Sequence, residues 1–274
     1  NDLAAAALVL AFVALAHRLG DRPWGLVTAG AALGLAVGTK LSVAVLAVVL
    51  VIALAWLHRG HRVLTAAIVT GTAIATGGFW YARNWARAGN PLPWYRLELG
   101  PLHLDSPVFR GVEEHGQRIV DRVSQTGFWT TTLPDGLRFA IGWLWVPVLA
   151  IGAAILVIAA MRPGWPRVLS ITIGVALAAH TVTPFSAGGG AVDSMFGPQL
   201  RFLAAPALLA AVLLALVVPL RHRAWVVWGT TGYVASAVAS VSHALVGLAA
   251  FALVVGIALV PRCFVDVQGV VTTA

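Results

Sequence analysis

Residues 41–57 read Leu-Ser-Val-Ala-Val-Leu-Ala-Val-Val-Leu-Val-Ile-Ala-Leu-Ala-Trp-Leu without one charged side chain, and runs of this kind recur along the chain. An uninterrupted apolar run has no polar face to offer water, so it must be buried or face lipid. Too many such runs are present for burial in one soluble core. Of the 274 residues 59% are hydrophobic and 10% charged, with a mean hydropathy of +0.89, whereas soluble domains carry about 25% charge and about 45–50% apolar residues. A hydrocarbon core about 30 Å thick takes roughly 20 apolar residues per helix. The expected fold class is therefore an all-α, polytopic integral membrane protein of about nine transmembrane or membrane-embedded helices. A membrane β-barrel is excluded, because barrel strands alternate in hydropathy whereas these runs are continuous.

The apolar segments fall near 2–17, 24–39, 41–57, 63–82, 137–160, 167–184, 200–220, 224–241 and 243–260, in what reads as a single transmembrane domain, 1–274. Between them lie short basic connections: 17–22, 58–62, 161–167, 221–223 and Arg262. Basic residues in short loops favour the cytoplasmic side. Alternating from there places the Asn1-Asp2 terminus, the turn at Gly38-Thr39-Lys40 and the loops 83–136 and 185–199 on the outer face. The segments flanking Lys40 are short, and they read as a tight helical hairpin that does not fully cross, with its tip near the outer leaflet; the alternatives are one long kinked helix or two tilted spans. The formal charge of +8 is scattered in these clusters rather than drawn into a stripe, which marks topology and argues against a nucleic-acid partner. One cysteine, Cys263, leaves no internal disulfide or thiolate cluster. The chain opens on Asn rather than Met, and is expected to be a fragment lacking an N-terminal part.

The extracytoplasmic loop 83–136 holds six of the ten acidic residues. Pro91, Pro93, Pro101 and Pro107 predict a turn-rich path through its first part. Residues 112–123 could form a short amphipathic surface helix, with Val112, Ile119 and Val123 on the apolar side. Glu113, Glu114 and His115, near His103 and Asp105, are weak candidates for a divalent cation, alternatively a solvated face. His180 and His243 lie toward the outer ends of their segments, where an imidazole is either functional or simply interfacial. Ser186 to Gly190 could let backbone approach a ligand, or form a flexible connector. No phosphate-binding glycine motif follows a strand, so a nucleotide-binding module is unsupported.

The segment 63–82 leads into Trp80-Tyr81-Ala82-Arg83-Asn84-Trp85-Ala86-Arg87-Ala88-Gly89-Asn90-Pro91. Aromatics here would anchor a helix end at the interface. Arg83 and Arg87, about a turn apart, would present guanidinium groups at the depth of a lipid phosphate, an anion arginine binds bidentately. The structural alternative is snorkelling arginines and an Asn-Pro turn.

Trp-Tyr-x-Arg-Asn followed by Gly-Asn-Pro resembles a signature of the GT-C superfamily of membrane glycosyltransferases, the protein-mannosyltransferase-like enzymes that use polyprenyl-phosphate sugars. Asn1-Asp2-Leu3-Ala4-Ala5 is similar to that family's acidic residue at the outer start of a helix. Gly30 to Lys40 (GAALGLAVGTK) resembles its Gly-rich segment ending in Thr-Lys. Gln199-Leu200-Arg201-Phe202-Leu203-Ala204-Ala205-Pro206 is similar to its Arg-Tyr-Leu-x-x-Pro helix start, with Phe202 in place of Tyr. Together these short motifs cover most of the chain up to about residue 220. The resemblance implies a site at the outer face of the bacterial plasma membrane. There the phosphate of a polyprenyl-phosphate sugar would be bound by Lys40, Arg83, Asn84, Arg87, Asn90 and Arg201, and the sugar passed to a glycan, lipid or protein acceptor. The family's catalytic carboxylate lies in a first outer loop, which would precede Asn1. That leaves Asp2 as the acidic candidate within the chain, for substrate, for a possible divalent cation, or as a helix N-cap. No other cofactor is implied. The alternatives are a non-catalytic scaffold subunit of a larger membrane complex and a transporter or flippase for a lipid-linked substrate. Against a transporter, no internal repeat is visible and the centres of the apolar runs carry no charge.

Overall fold

The computed structural model describes residues 1–93, 97–99, 102–104, 118–183, 196 and 200–217, most of them helical. The segments expected at 224–241 and 243–260, together with Glu113, Glu114, His115, Ser186 to Gly190 and His243, lie outside the described residues. The helices are α1 (Asp2–Leu19), α2 (Pro23–Thr39), α3 (Ala44–Leu57), α4 (Arg62–Gly77), α5 (Phe79–Ala88), α6 (Leu133–Ile141), α7 (Trp145–Met161), α8 (Trp165–Val182) and α9 (Ala204–Val217). Among the described residues two helices, α1 and α8, are each long and apolar enough to cross a membrane; the number is up to four if each of two bent pairs is one span. These are the helices of a membrane-associated chain.

The helix limits follow from local chemistry. Asp2 in the first turn of α1, and His17 and Arg18 in its last, complement the helix dipole. Pro23 opens α2 at a position where its missing N–H costs nothing, and it holds the preceding Arg22 extended. Gly89, at φ 66°, takes the left-handed conformation that ends α5.

The segment expected at 63–82 is two helices: α4 stops at Gly77 and α5 continues to Ala88 at an angle of 56°. Consecutive glycines, Gly77 and Gly78, mark the break. A second bend, of 85°, separates residues 128–141, which open with a π-helical turn Phe128–Thr132, from α7.

Two compact units make up the chain, Asn1–Gly136 with Ile171–Ala207, and Leu137–Ser170 with Leu208–Ala274. In the first, α2 packs between α1 and α4. Gly30, Gly34 and Gly38 recur every fourth residue and form one face of α2. That face meets Val69, Ala73 and Gly77 of α4 in the same order, so the two helices run parallel. A Cβ on Gly34 would strike the Ala73 carbonyl and Thr76 Oγ1, and one on Gly30 would lie 2.8 Å from the Val69 carbonyl. Small residues at such spacing let backbones approach closely, which replaces the hydrophobic drive that lipid removes. Thr76 Oγ1 has the Thr72 carbonyl of its own helix at 3.0 Å and the Ala31 carbonyl across the seam at 3.3 Å, and its hydroxyl can donate to either. The two segments flanking Lys40 therefore do not form a self-contained hairpin: α2 lies against α1 and α4, while α3 packs mainly on α4.

Within the second unit, Ser170 Oγ donates to the Leu156 carbonyl at 2.7 Å, and Arg162 Nη1 to the Val217 carbonyl at 3.1 Å. Arg167 Nε reaches the Ala160 carbonyl at 2.9 Å. These arginines of the basic connection satisfy carbonyls that a helix end leaves open.

The loop between α5 and α6 contains an antiparallel pair, β1 (Leu97–Leu99) and β2 (Leu102–Leu104), in the register Leu97 to Leu104 and Glu98 to His103. The prolines predicted turns alone; the period-2 alternation Leu-Glu-Leu and Leu-His-Leu is the signal they masked. Of the expected amphipathic segment 112–123, the described residues 118–123 contain one 3-10 turn, Ile119–Asp121; Ile119 is buried, and Val123, just beyond the turn, is exposed. Arg118 Nε and Nη2 donate to the Asp121 carboxylate, each at 3.0 Å. Those hydrogen bonds hold the Asp121 carboxyl below its ordinary pKa.

Candidate functional site

Lys40 is the chain's one lysine. It follows the last residue of α2 with extended backbone, φ −153° and ψ 115°, so its side chain leaves the helix at the end of the Gly-rich face. Antiparallel packing of α1 on α2 brings Asp2 to the same end, and the Lys40 ammonium pairs with the Asp2 carboxylate. The helix cap at α1 falls to Asn1, which makes no side-chain capping bond, so the Asp2 carboxylate is directed to the lysine. Below the ammonium lies the Phe202 ring, 4.2 Å from Nζ to the centroid, close enough for cation–π attraction. Asn1, Asp2, Leu3, Lys40 and Phe202 line a cleft of about 500 Å³.

Nearby α5 is tied to α2, because the Tyr81 hydroxyl donates to the Val37 carbonyl at 2.8 Å. Arg83 is half-buried and stacks on the Trp80 ring, 5.2 Å from its centroid, while Arg87 is exposed. Two of the expected phosphate ligands hold the turn after α5. Asn84 Nδ2 donates to the Pro91 carbonyl at 3.4 Å, and Asn90 Oδ1 accepts the Leu92 N–H at 2.8 Å. The Asn90 bond is an Asx turn, and its side chain is buried. Arg201 belongs to the 3-10 turn Leu200–Leu203; its side chain lies outside the described residues.

The structure thus joins Asp2 and Lys40 and adds Phe202, while Tyr81 fastens α5 to α2. Phe202, which breaks the Arg-Tyr-Leu-x-x-Pro pattern in the sequence, puts its ring against the ammonium. Nothing in the sequence around Tyr81 distinguished a hydroxyl bound to a carbonyl on α2 from one of an interfacial aromatic belt.

Chemically, an ammonium at the mouth of an open cleft, held by one carboxylate and an aromatic face, can receive an anion of modest size such as a phosphate. It keeps protons to donate beyond the one Asp2 takes. A divalent cation fits less well. Asp2 is already neutralised by Lys40, and among the described residues no group of three His, Cys, Asp or Glu side chains comes together. His180 is half-buried, with no hydrogen-bond partner for Nε2. No family model, curated protein or solved structure matches the chain.

Proposed function

We propose that this chain belongs to a membrane glycosyltransferase of the bacterial plasma membrane. It would transfer a sugar from a polyprenyl-phosphate donor to an acceptor at the extracytoplasmic face. The observation that carries this reading is the cleft in which Lys40, Asp2 and Phe202 meet. The resemblance of the Gly-rich segment ending in Thr-Lys implies a phosphate ligand at Lys40, and the cleft gives that ammonium open space on one side. Its place at the membrane end of an apolar helix suits a donor whose tail stays in lipid and whose phosphate stays at the surface.

In this mechanism Lys40 stabilises the phosphate as the glycosidic C–O bond breaks and negative charge grows on the leaving oxygen. Phe202 supports the ammonium from below, and Asp2 holds it in place until the phosphate arrives. Arg83, poised on Trp80, is a second cation for the same leaflet. The acceptor hydroxyl attacks the anomeric carbon and gives its proton to a general base.

The test is transfer from a radiolabelled polyprenyl-phosphate sugar by the intact protein in nanodiscs. Lys40→Ala is expected to lower transfer about a hundredfold, the scale of losing one electrostatic donor from a transition state, while leaving the protein folded. Wild-type protein that is folded and lipid-embedded yet transfers from none of several such donors would favour the scaffold reading instead.

A further inference from the structure

The fold joins two basic turns that the sequence keeps apart. Residues 17–22 take in the last turn of α1 and its link to α2, and residues 58–62 the link from α3 to α4 with the first residue of α4. They abut: a Cβ on Gly20 would lie 3.1 Å from His58 Cε1 and 3.3 Å from His58 Nε2. His58 is held in turn by Thr65, whose Oγ1 lies 3.3 Å from His58 Nδ1 and which is itself buried. Together the turns carry Arg18, Arg22, Arg59 and Arg62, all exposed, against one carboxylate, Asp21. Two helices end here and two begin, so their terminal dipoles largely offset. The field at this end is that of the arginines.

Two of the four arginines are paired with tryptophans. The Arg22 guanidinium stands 5.8 Å from the centroid of the Trp24 ring, and that of Arg62 stands 4.8 Å from Trp56. Both indoles are exposed, at 52% and 61%, beside the outward apolar side chains Val27 and Ile52. An indole next to lipid-facing aliphatic groups settles at headgroup depth, with its apolar body in the acyl chains. The guanidinium stacked on it then sits level with lipid phosphates. A soluble polyanion would gain nothing from the exposed indoles and aliphatic side chains below the charges. A lipid engages both.

We propose that this end of the first unit is a binding surface for anionic phospholipid headgroups, with Arg22–Trp24 and Arg62–Trp56 as its two anchoring pairs. It lies at the opposite end of α2 from Lys40 and requires no transferase activity.

The test titrates the intact, detergent-solubilised protein with phosphatidylglycerol or phosphatidylcholine and counts retained lipids by native mass spectrometry. Phosphatidylglycerol is expected to bind at least tenfold tighter than phosphatidylcholine. An arginine near an anionic headgroup is worth about fivefold in affinity, so Arg22→Gln with Arg62→Gln should weaken phosphatidylglycerol about 25-fold and leave phosphatidylcholine unchanged. Arg162→Gln, outside these two turns, should change neither. Equal binding of the two lipids by wild-type protein overturns the proposal whatever the variants do. So does an equal loss in Arg162→Gln, or binding of a short RNA in place of phosphatidylglycerol.

Discussion

Asn90 illustrates how one residue type serves two roles that a motif cannot separate. Within Gly-Asn-Pro the resemblance implies that it is a phosphate ligand. In the fold it is 1% exposed and its Oδ1 closes an Asx turn on the Leu92 N–H. A buried amide hydrogen left without its acceptor costs about 1–3 kcal/mol, so Asn90→Ala should lower the thermal midpoint of the solubilised protein. Asn90→Ser keeps a neutral acceptor oxygen for a turn of the same kind and should recover part of the loss. If Asn90→Ala melts like the wild type, the turn is not what the asparagine secures. Lys40 is the opposite case. Its side chain points into a cleft rather than back onto backbone, and its partners are a carboxylate and a ring that an incoming anion can displace or share.

The helices were legible in the sequence wherever an apolar run ended in a cap, a proline or a basic turn. The limits of α1, α2 and α8 fall within about two residues of those expected, the usual uncertainty of helix ends. What the runs could not reveal is their breaks. Residues 63–82 contain nothing but apolar and small side chains around Gly77-Gly78, and whether that pair kinks depends on what packs against it. Here Gly77 is pinned by Gly34 of α2, since a Cβ on Gly77 would strike the Gly34 carbonyl. The seam of α2 on α4 yields a prediction of opposite signs. Gly34→Ala drives a methyl into backbone and should destabilise by about 1–3 kcal/mol, as overpacking does. Gly71→Ala on the same α4 meets open space within 4 Å. It should instead stabilise, by up to about 1 kcal/mol from helix propensity alone. Thermal midpoints of the two variants in one detergent decide this, and a fall in both would mean that the close approach is not the reason for the glycines.

For the molecule as a whole, hydropathy foretold the all-helical class, and the described residues agree in being mostly helical, with spans that suit a membrane. The site was legible in part. Asp2 and Lys40 lie 38 residues apart, and they are drawn together because α1 and α2 are antiparallel neighbours. That pairing could be anticipated only by placing both on one face of the membrane. Phe202, far along the chain, could not be placed against Lys40 from any local pattern, since its role depends on the fold closing over the end of α2. The Lys40 ammonium is proposed as a phosphate ligand held in waiting by Asp2. The direct measurement is equilibrium binding of a polyprenyl phosphate to the intact protein in nanodiscs, with Lys40→Ala and Asp2→Asn beside the wild type. A charge-assisted hydrogen bond is worth about 1.5–3 kcal/mol, so Lys40→Ala should bind at least tenfold more weakly. Asp2→Asn removes a competitor for the same ammonium and should bind about two- to fivefold more tightly, the scale of a partly exposed ion pair. Identical affinities in all three proteins, with both variants folded, would contradict the account and leave Asp2 and Lys40 as a structural pair.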